Sequence, residues 1–295
     1  GTHTSEGDAY LSGAVFSEQE SVWTGKDQDY FWPKSGALTL SGCTALPPEN
    51  GTIAYSYDDN TISVTNYVQS LEPAQTVDFL WFPQTPPSNL DRETGNLSVE
   101  MMHALTWVTI NVQGFGGSVG WKVQSIKLKG IADKGSFVCG YDSIDNKHKV
   151  SWTVTSRSGE DNEFIVYQSP FQEGSTTEYD YFTLSENATD IENTSQGTVL
   201  IPQTPVQMEV EYHTTDTPSP STLRSKTLDL KISDIEADNF WQAGKHYVYT
   251  VTFNPYKISF SVVEDNTWET LVKPGKKARP GTKILFGCPN DEEGN

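Results

Sequence analysis

Five histidines, three cysteines and a surplus of carboxylates are the side chains here with the means to do chemistry. A zinc hydrolase needs two histidines on one helix face with a glutamate between them, and a structural zinc site needs closely spaced cysteine pairs. His3, His103, His148, His213 and His246 stand far apart, and none falls in a His-Glu-x-x-His pattern. His103 opens a strand, where a structural role is expected, and His246 falls in the solvent-facing phase of another. Cys43, Cys139 and Cys288 make neither a Cys-x-x-Cys pair nor a disulfide framework. Buried, idle thiols are the expectation, with a Cys43–Cys139 pair inside the first half as the alternative. Gly114-Phe-Gly-Gly-Ser-Val-Gly120 has a phosphate loop's glycines but no following Lys-Ser/Thr or helix, so a turn is expected. Glycosidases work with two carboxylates across a cleft. Asp58-Asp59, Glu160-Asp161 and Glu178-Tyr-Asp180 are pairs of that kind, but among 39 acidic residues chance supplies them. No segment alternates oxygen ligands as a calcium loop does. The expectation is no enzyme, no cofactor and no metal.

The overall charge narrows the partners. A formal net charge of -19 denies a nucleic-acid binder its basic footprint and disfavours adsorption to anionic lipid. No run of 18 apolar residues exists, so no transmembrane helix is expected. The chain opens on the polar Gly1-Thr-His-Thr-Ser-Glu-Gly-Asp8. A native leader is expected to have been removed, so its absence does not argue for the cytoplasm.

Aromatic residues at 12%, many turn formers and no long helical runs predict an all-β protein. The clearest element is Trp241 to Val263. Tyr247, Tyr249, Val251 and Phe253 alternate with polar neighbours, an Asn254-Pro255-Tyr256 turn follows, and Ile258, Phe260 and Val262 alternate in return. That pattern is an antiparallel hairpin with one buried face. Leu105 to Val112 is apolar on both faces, which suits a central strand. Trp121–Lys129 changes phase between Val123 and Ile126, as at a bulge. Thr61–Val64, Thr76–Phe82, the Val206 to Tyr212 stretch and the Leu228 to Ile232 stretch are further strands. Proline-rich breaks fall at 46–51 and 83–87. Turn residues and charges over 141–149 and 156–162 predict a linker, giving domains 1–155 and 156–295, the second with a C-terminal tail. Strands of this number and spacing point to Greek-key sandwiches.

Several segments, taken in order, resemble the Bacteroidales fimbrillin-like (major fimbrial subunit-like) family. They are Tyr30-Phe-Trp-Pro-Lys-Ser-Gly-Ala-Leu-Thr-Leu40, Val77-Asp-Phe-Leu-Trp81, Val99 to Ile110 around His103-Ala-Leu-Thr, and Val123-Gln-Ser-Ile-Lys-Leu-Lys-Gly130. Leu200-Ile-Pro-Gln203 and Trp241-x-x-Gly244-Lys-x-Tyr247-x-Tyr249 complete the series. The resemblance implies two tandem transthyretin-like β-sandwich domains. It also implies export as a lipoprotein through a removed N-terminal leader, attachment at the outer membrane, and a structural or adhesive role in a surface fimbrium. The implied partners are other fimbrial subunits and a host protein or glycan. Family subunits join by strand donation, in which one subunit's strand fills a groove of the next. The family's arginine-specific activation cut finds no arginine here before Arg92.

After Trp268 the chain runs on through Lys273-Pro-Gly-Lys-Lys-Ala-Arg-Pro-Gly281 to Thr282-Lys-Ile-Leu-Phe-Gly-Cys288, more than the hairpin requires. Thr282, Ile284 and Phe286 are the candidate donor-strand residues, spaced to fill adjacent pockets. The alternative is a last strand completing its own domain. A second reading of the whole chain is a carbohydrate-binding outer-membrane lipoprotein that does not polymerise, with Trp23, Trp32, Trp81 or Trp152 as sugar platforms.

Overall fold

A computed structural model describes residues 12–19, 22–25, 40–56, 59, 61–72, 75–85, 90–91, 96–97, 99–142, 144, 147–157, 163–175, 177–191, 198–204, 207–214, 219, 222–230, 241–265 and 283–287. The protein is all-β, with strands numbered β1 to β22 along the chain.

One sheet runs β2 (Val22–Gly25), β1 (Ser12–Gln19), β22 (Lys283–Gly287), β3 (Leu40–Thr44), β6 (Leu80–Thr85), β9 (Met102–His103). A second runs β13 (Lys147–Arg157), β12 (Ala132–Asp142), β5 (Thr61–Val68), β4 (Thr52–Ser56). These two enclose a first core that includes Ile62, Val64, Tyr67, Phe79, Trp81, Leu105 and Phe137.

A third sheet runs β16 (Thr189–Asp190), β10 (Thr106–Gly114), β20 (His246–Asn254), β21 (Lys257–Asp265), with β17 (Thr198–Leu200) also on β10. The fourth runs β14 (Phe164–Gln168), β11 (Lys122–Lys129), β18 (Gln207–His213), β19 (Leu223–Asp229), with β15 (Phe182–Thr183) on β11. They enclose a second core built on Val108, Ile110, Val112, Ile126, Met208, Val210, Trp241, Tyr249 and Phe253. A small ribbon pairs β7 (Leu90–Asp91) with β8 (Asn96–Leu97).

The expected division at 155 does not coincide with the division between the cores. β10 and β11, from the first half of the chain, pair with strands of the second half, and the chain then returns to the first core for β12 and β13. The charged 141–149 run, read as linker, includes the β12–β13 turn, with Asp142 opposite Lys147. Charge and turn residues mark a sharp reversal as readily as a domain boundary.

Other readings fare better. β20 and β21 pair in full antiparallel register around the predicted turn. Leu105 lies in the first core while Val108, Ile110 and Val112 lie in the second, which is why that stretch is apolar on both faces. The pairing of β11 with β18 slips between Val123 and Ser125, at the expected bulge. The expected strand 76–82 is displaced: β6 begins at Leu80 and passes through Pro83.

The cores share a seam. Around β17, Val199 and Ile201 pack into the first core and Leu200 into the second. Gln203, 4% exposed, fastens the seam. Its Oε1 accepts from Ala132 N at 2.7 Å and Arg157 Nη1 at 2.9 Å, and its Nε2 donates to Ile201 O at 2.9 Å. Its own carbonyl accepts from Trp241 N at 3.0 Å. Each of these backbone groups is thereby paired away from water, as burial demands.

Candidate functional site: the slot occupied by the last strand

β22 is an inner strand. It pairs antiparallel with β1 on one side and β3 on the other, inside the sheet of the first core. The slot's walls therefore come from the two ends of the N-terminal region, and its occupant comes from the far C-terminus. Residues 266–282 join β21 to this strand, and a fully extended chain of that length spans at most about 60 Å.

The register locates the candidate residues. Ile284 stands opposite Phe16 on β1 and Thr44 on β3, Leu285 opposite Val15 and Cys43, and Phe286 opposite Ala14 and Gly42. Thr282 lies outside the described residues. The expected alternation of Ile284 and Phe286 thus meets a strand, and Leu285 holds the position facing Cys43 across the ladder. The sequence reading named no wall residue as part of a site. The apolar Ala14-Val15-Phe16 run forms one wall, on β1, but nothing in it points to a partner so distant in sequence.

The wall on the β3 side is well packed. Ser41, Cys43 and Thr44 are each 2% exposed, and Thr44 Oγ1 accepts from Leu80 N at 3.1 Å, tying β3 to β6. Trp81, opposite Cys43, is equally buried. One strand further, His103 Nδ1 lies 2.6 Å from Asp78 Oδ2. That hydrogen-bonding contact ties β9 to the residues that lead into β6.

Among the described residues, no three His, Cys, Asp or Glu side chains converge as a metal site. His246 is the one histidine whose expected setting is overturned: it is 5% exposed rather than solvated. Its ring stacks on Trp107 with centroids 3.7 Å apart, and its Nε2 lies 3.0 Å from Thr109 Oγ1. Burial lowers its pKa, partly offset by Asp265 at 3.5 Å. Alternation placed His246 on the outer face correctly, but the parallel pairing of β10 with β20 sets Trp107 beside it as a cover. The proposed sugar platforms change as well. Trp81 lies inside the core, and Trp152 packs against it while donating Nε1–H to Ala104 O at 2.8 Å. Trp32 and the side chain of Trp23 lie outside the described residues.

The Trp241-x-x-Gly244 segment shows what its motif does. Trp241 is fully buried and donates Nε1–H to Tyr249 Oη at 3.0 Å. Gly244 adopts φ +75, which favours glycine even though a Cβ would have room there. Its N–H donates to Leu105 O at 2.8 Å, so the turn locks onto the strand that borders both cores.

β22 is thus set into a sheet whose other strands all lie within residues 12–103. A family model described as fimbrillin-like matches residues 1–268, and the chain belongs to the fimbrillin-like family. A fimbrial protein from Bacteroides vulgatus shares the fold at a TM-score of 0.51 and 15% identity, covering 85% of this chain and 83% of that one. A candidate cell adhesion protein from Bacteroides uniformis aligns at a TM-score of 0.47 and 11% identity, over 86% and 92% of the two chains. A 25-residue stretch is 68% identical to part of the S-adenosylmethionine:tRNA ribosyltransferase-isomerase of Symbiobacterium thermophilum. It spans 8% of this chain and 7% of that enzyme, too little to define a relationship. The family supports a fimbrial subunit at the cell surface. No helix among the described residues is long and apolar enough to cross a membrane.

Proposed function

We propose that this protein is a structural and adhesive subunit of a surface fimbrium, assembled by donor-strand complementation and attached at the outer membrane through an N-terminal lipoprotein leader. The observation that carries this reading is the place of β22. A chain-terminal strand that pairs on both sides within a sheet built otherwise from residues 12–103 leaves an open slot when it departs. The same strand of a neighbouring copy offers the same hydrogen bonds and side chains. Exchange between copies therefore conserves contacts, which is the physical basis of domain swapping and of strand addition. In an isolated subunit the strand serves its own sheet; in the polymer it serves the next subunit's. Ile284, Leu285 and Phe286 are the apolar residues it delivers. A host protein or glycan is the proposed adhesion partner.

The test is an unboiled SDS gel of the native outer-membrane fraction, probed with antibody to this chain. A ladder that collapses on boiling supports strand exchange. Deleting residues 282–295 then abolishes the ladder, and a peptide carrying those residues binds the truncated chain. A deletion variant that still forms the ladder sinks the assignment of this strand as donor.

A further inference from the structure

A row of aromatic rings lies on the surface of the second sandwich, away from the slot. Beyond β14 the chain turns back between Phe171 and Tyr179, which form an antiparallel bridge. Their rings stack with centroids 4.5 Å apart, although Phe171 is 51% exposed. The half-buried Tyr181 follows at 5.7 Å from Tyr179 and meets the His213 ring edge-on at 5.0 Å. The turn is held from within and from below. Gln172 N donates to Glu178 O and Asp180 N to Pro170 O, each at 2.8 Å, and Ser175 Oγ accepts from Glu178 N at 2.9 Å. Ser169 ties the turn to β11, its N–H donating to Gln124 O at 2.8 Å and its hydroxyl to Val123 O at 2.9 Å. The rings are therefore fixed at the surface before any partner arrives, which lowers the ordering cost of binding.

Charge selects the partner. Glu173, Glu178 and Asp180, in the same turn as the rings, are exposed. No lysine or arginine occurs between Arg157 and Arg224, a stretch with twelve aspartates and glutamates. The lysines of the sheet beneath are engaged: Lys127 and Lys129 pair with Glu163, Glu209 and Glu211, and Lys122 donates to Thr183 Oγ1. Aromatic faces beside carboxylates attract cations, and a guanidinium stacks flat on a ring. The chain itself carries the opposite charge. Lys273, Lys276, Lys277 and Arg279 fall within seven residues, and no acidic residue occurs between Glu269 and Asp291. We propose that the Phe171–Tyr179–Tyr181 row is the docking surface for the basic segment 273–281 of a neighbouring copy. This rests on the assembly reading above, because that segment leads directly into β22, the strand a neighbour donates. A second point of contact raises the effective concentration of the donated strand without any change in the slot.

The test titrates a labelled peptide of residues 270–281 into the full chain carrying Lys273→Gln, Lys276→Gln, Lys277→Gln and Arg279→Gln, so that the peptide is the only basic segment of this kind present. The peptide stops before β22, and its binding does not require strand exchange. The expected result is saturable binding that Phe171→Ala weakens about two- to fivefold, the range of an exposed cation–π contact. Glu178→Gln with Asp180→Asn should weaken it as well, at an unchanged melting temperature. Equal weakening by Glu49→Gln with Glu100→Gln, exposed carboxylates outside the row, shows diffuse attraction and overturns the proposal. Binding indifferent to Phe171→Ala overturns it too, as does a glycan panel bound through Phe171 when the peptide is not. An SDS-resistant polymer without peptide binding overturns the docking surface and leaves strand donation standing. Peptide binding at the row without such a polymer supports the docking surface and overturns strand donation instead.

Discussion

Gln203 shows how much one side chain carries where two cores meet. Its amide serves Ala132 N, Arg157 and Ile201 O at once, with almost no exposure to water. Replacing it by leucine keeps the volume and strands a buried N–H. Leaving a buried donor unpaired costs about 1–3 kcal/mol, and here a guanidinium contact goes too. Gln203→Leu is therefore expected to destabilise the chain by about 2–4 kcal/mol, read as a lower urea midpoint. A change under about 0.5 kcal/mol, the scale of an ordinary surface substitution, would remove Gln203 from this role. The residue was visible in sequence as a Pro-Gln landmark, but its partners lie 71 and 46 residues away. Nothing local could reveal them.

At the scale of elements, strands declared themselves wherever alternation was clean. β20 and β21 are one such case: buried Tyr247, Tyr249, Val251, Phe253 and Ile258 alternate with more exposed neighbours. β22 is different, because its pairing is decided by a slot made from β1 and β3. An inner strand uses its N–H groups on both sides, and proline removes one N–H and clashes in the ladder. Leu285→Pro is expected to abolish the SDS-resistant ladder through the backbone alone. A variant that polymerises as the parent does would separate β22 from assembly. Where strands misled, Pro83 is instructive: it was read as a break, yet it lies inside β6.

At the scale of the molecule, acid acts on both cores in one direction. Burial lowers the pKa values of His148, His213 and His246. His213 is held between Thr222 Oγ1 at 2.9 Å and the Gln124 amide at 3.2 Å. Each histidine takes up a proton more readily unfolded than folded, so its stabilisation is complete above about pH 6.5 and declines as pH falls below that. Glu209 is held below its usual range by Lys129 and Ser225, and Glu163 by Lys127 and Lys129 against the opposing effect of burial. Their contributions are lost as pH falls further, through about 4.5 and below. The melting temperature is expected to fall steadily from pH 7.5 to 5, with His213→Gln flattening the upper part of the curve. A flat profile across that window would contradict the lowered pKa values of the buried His213 and His246.

The sequence by itself determined the strand content, the hairpin, the bulge and the family resemblance. These follow from local alternation and turn chemistry, written over short stretches of chain. Only the tertiary structure decided that β10 and β11 leave the first half to join the second core, that Trp107 covers His246, and that β22 lies between β1 and β3. The reason is physical. An apolar strand face specifies that it must be covered, but the covering partner is chosen by long-range pairing and packing, which no local pattern records.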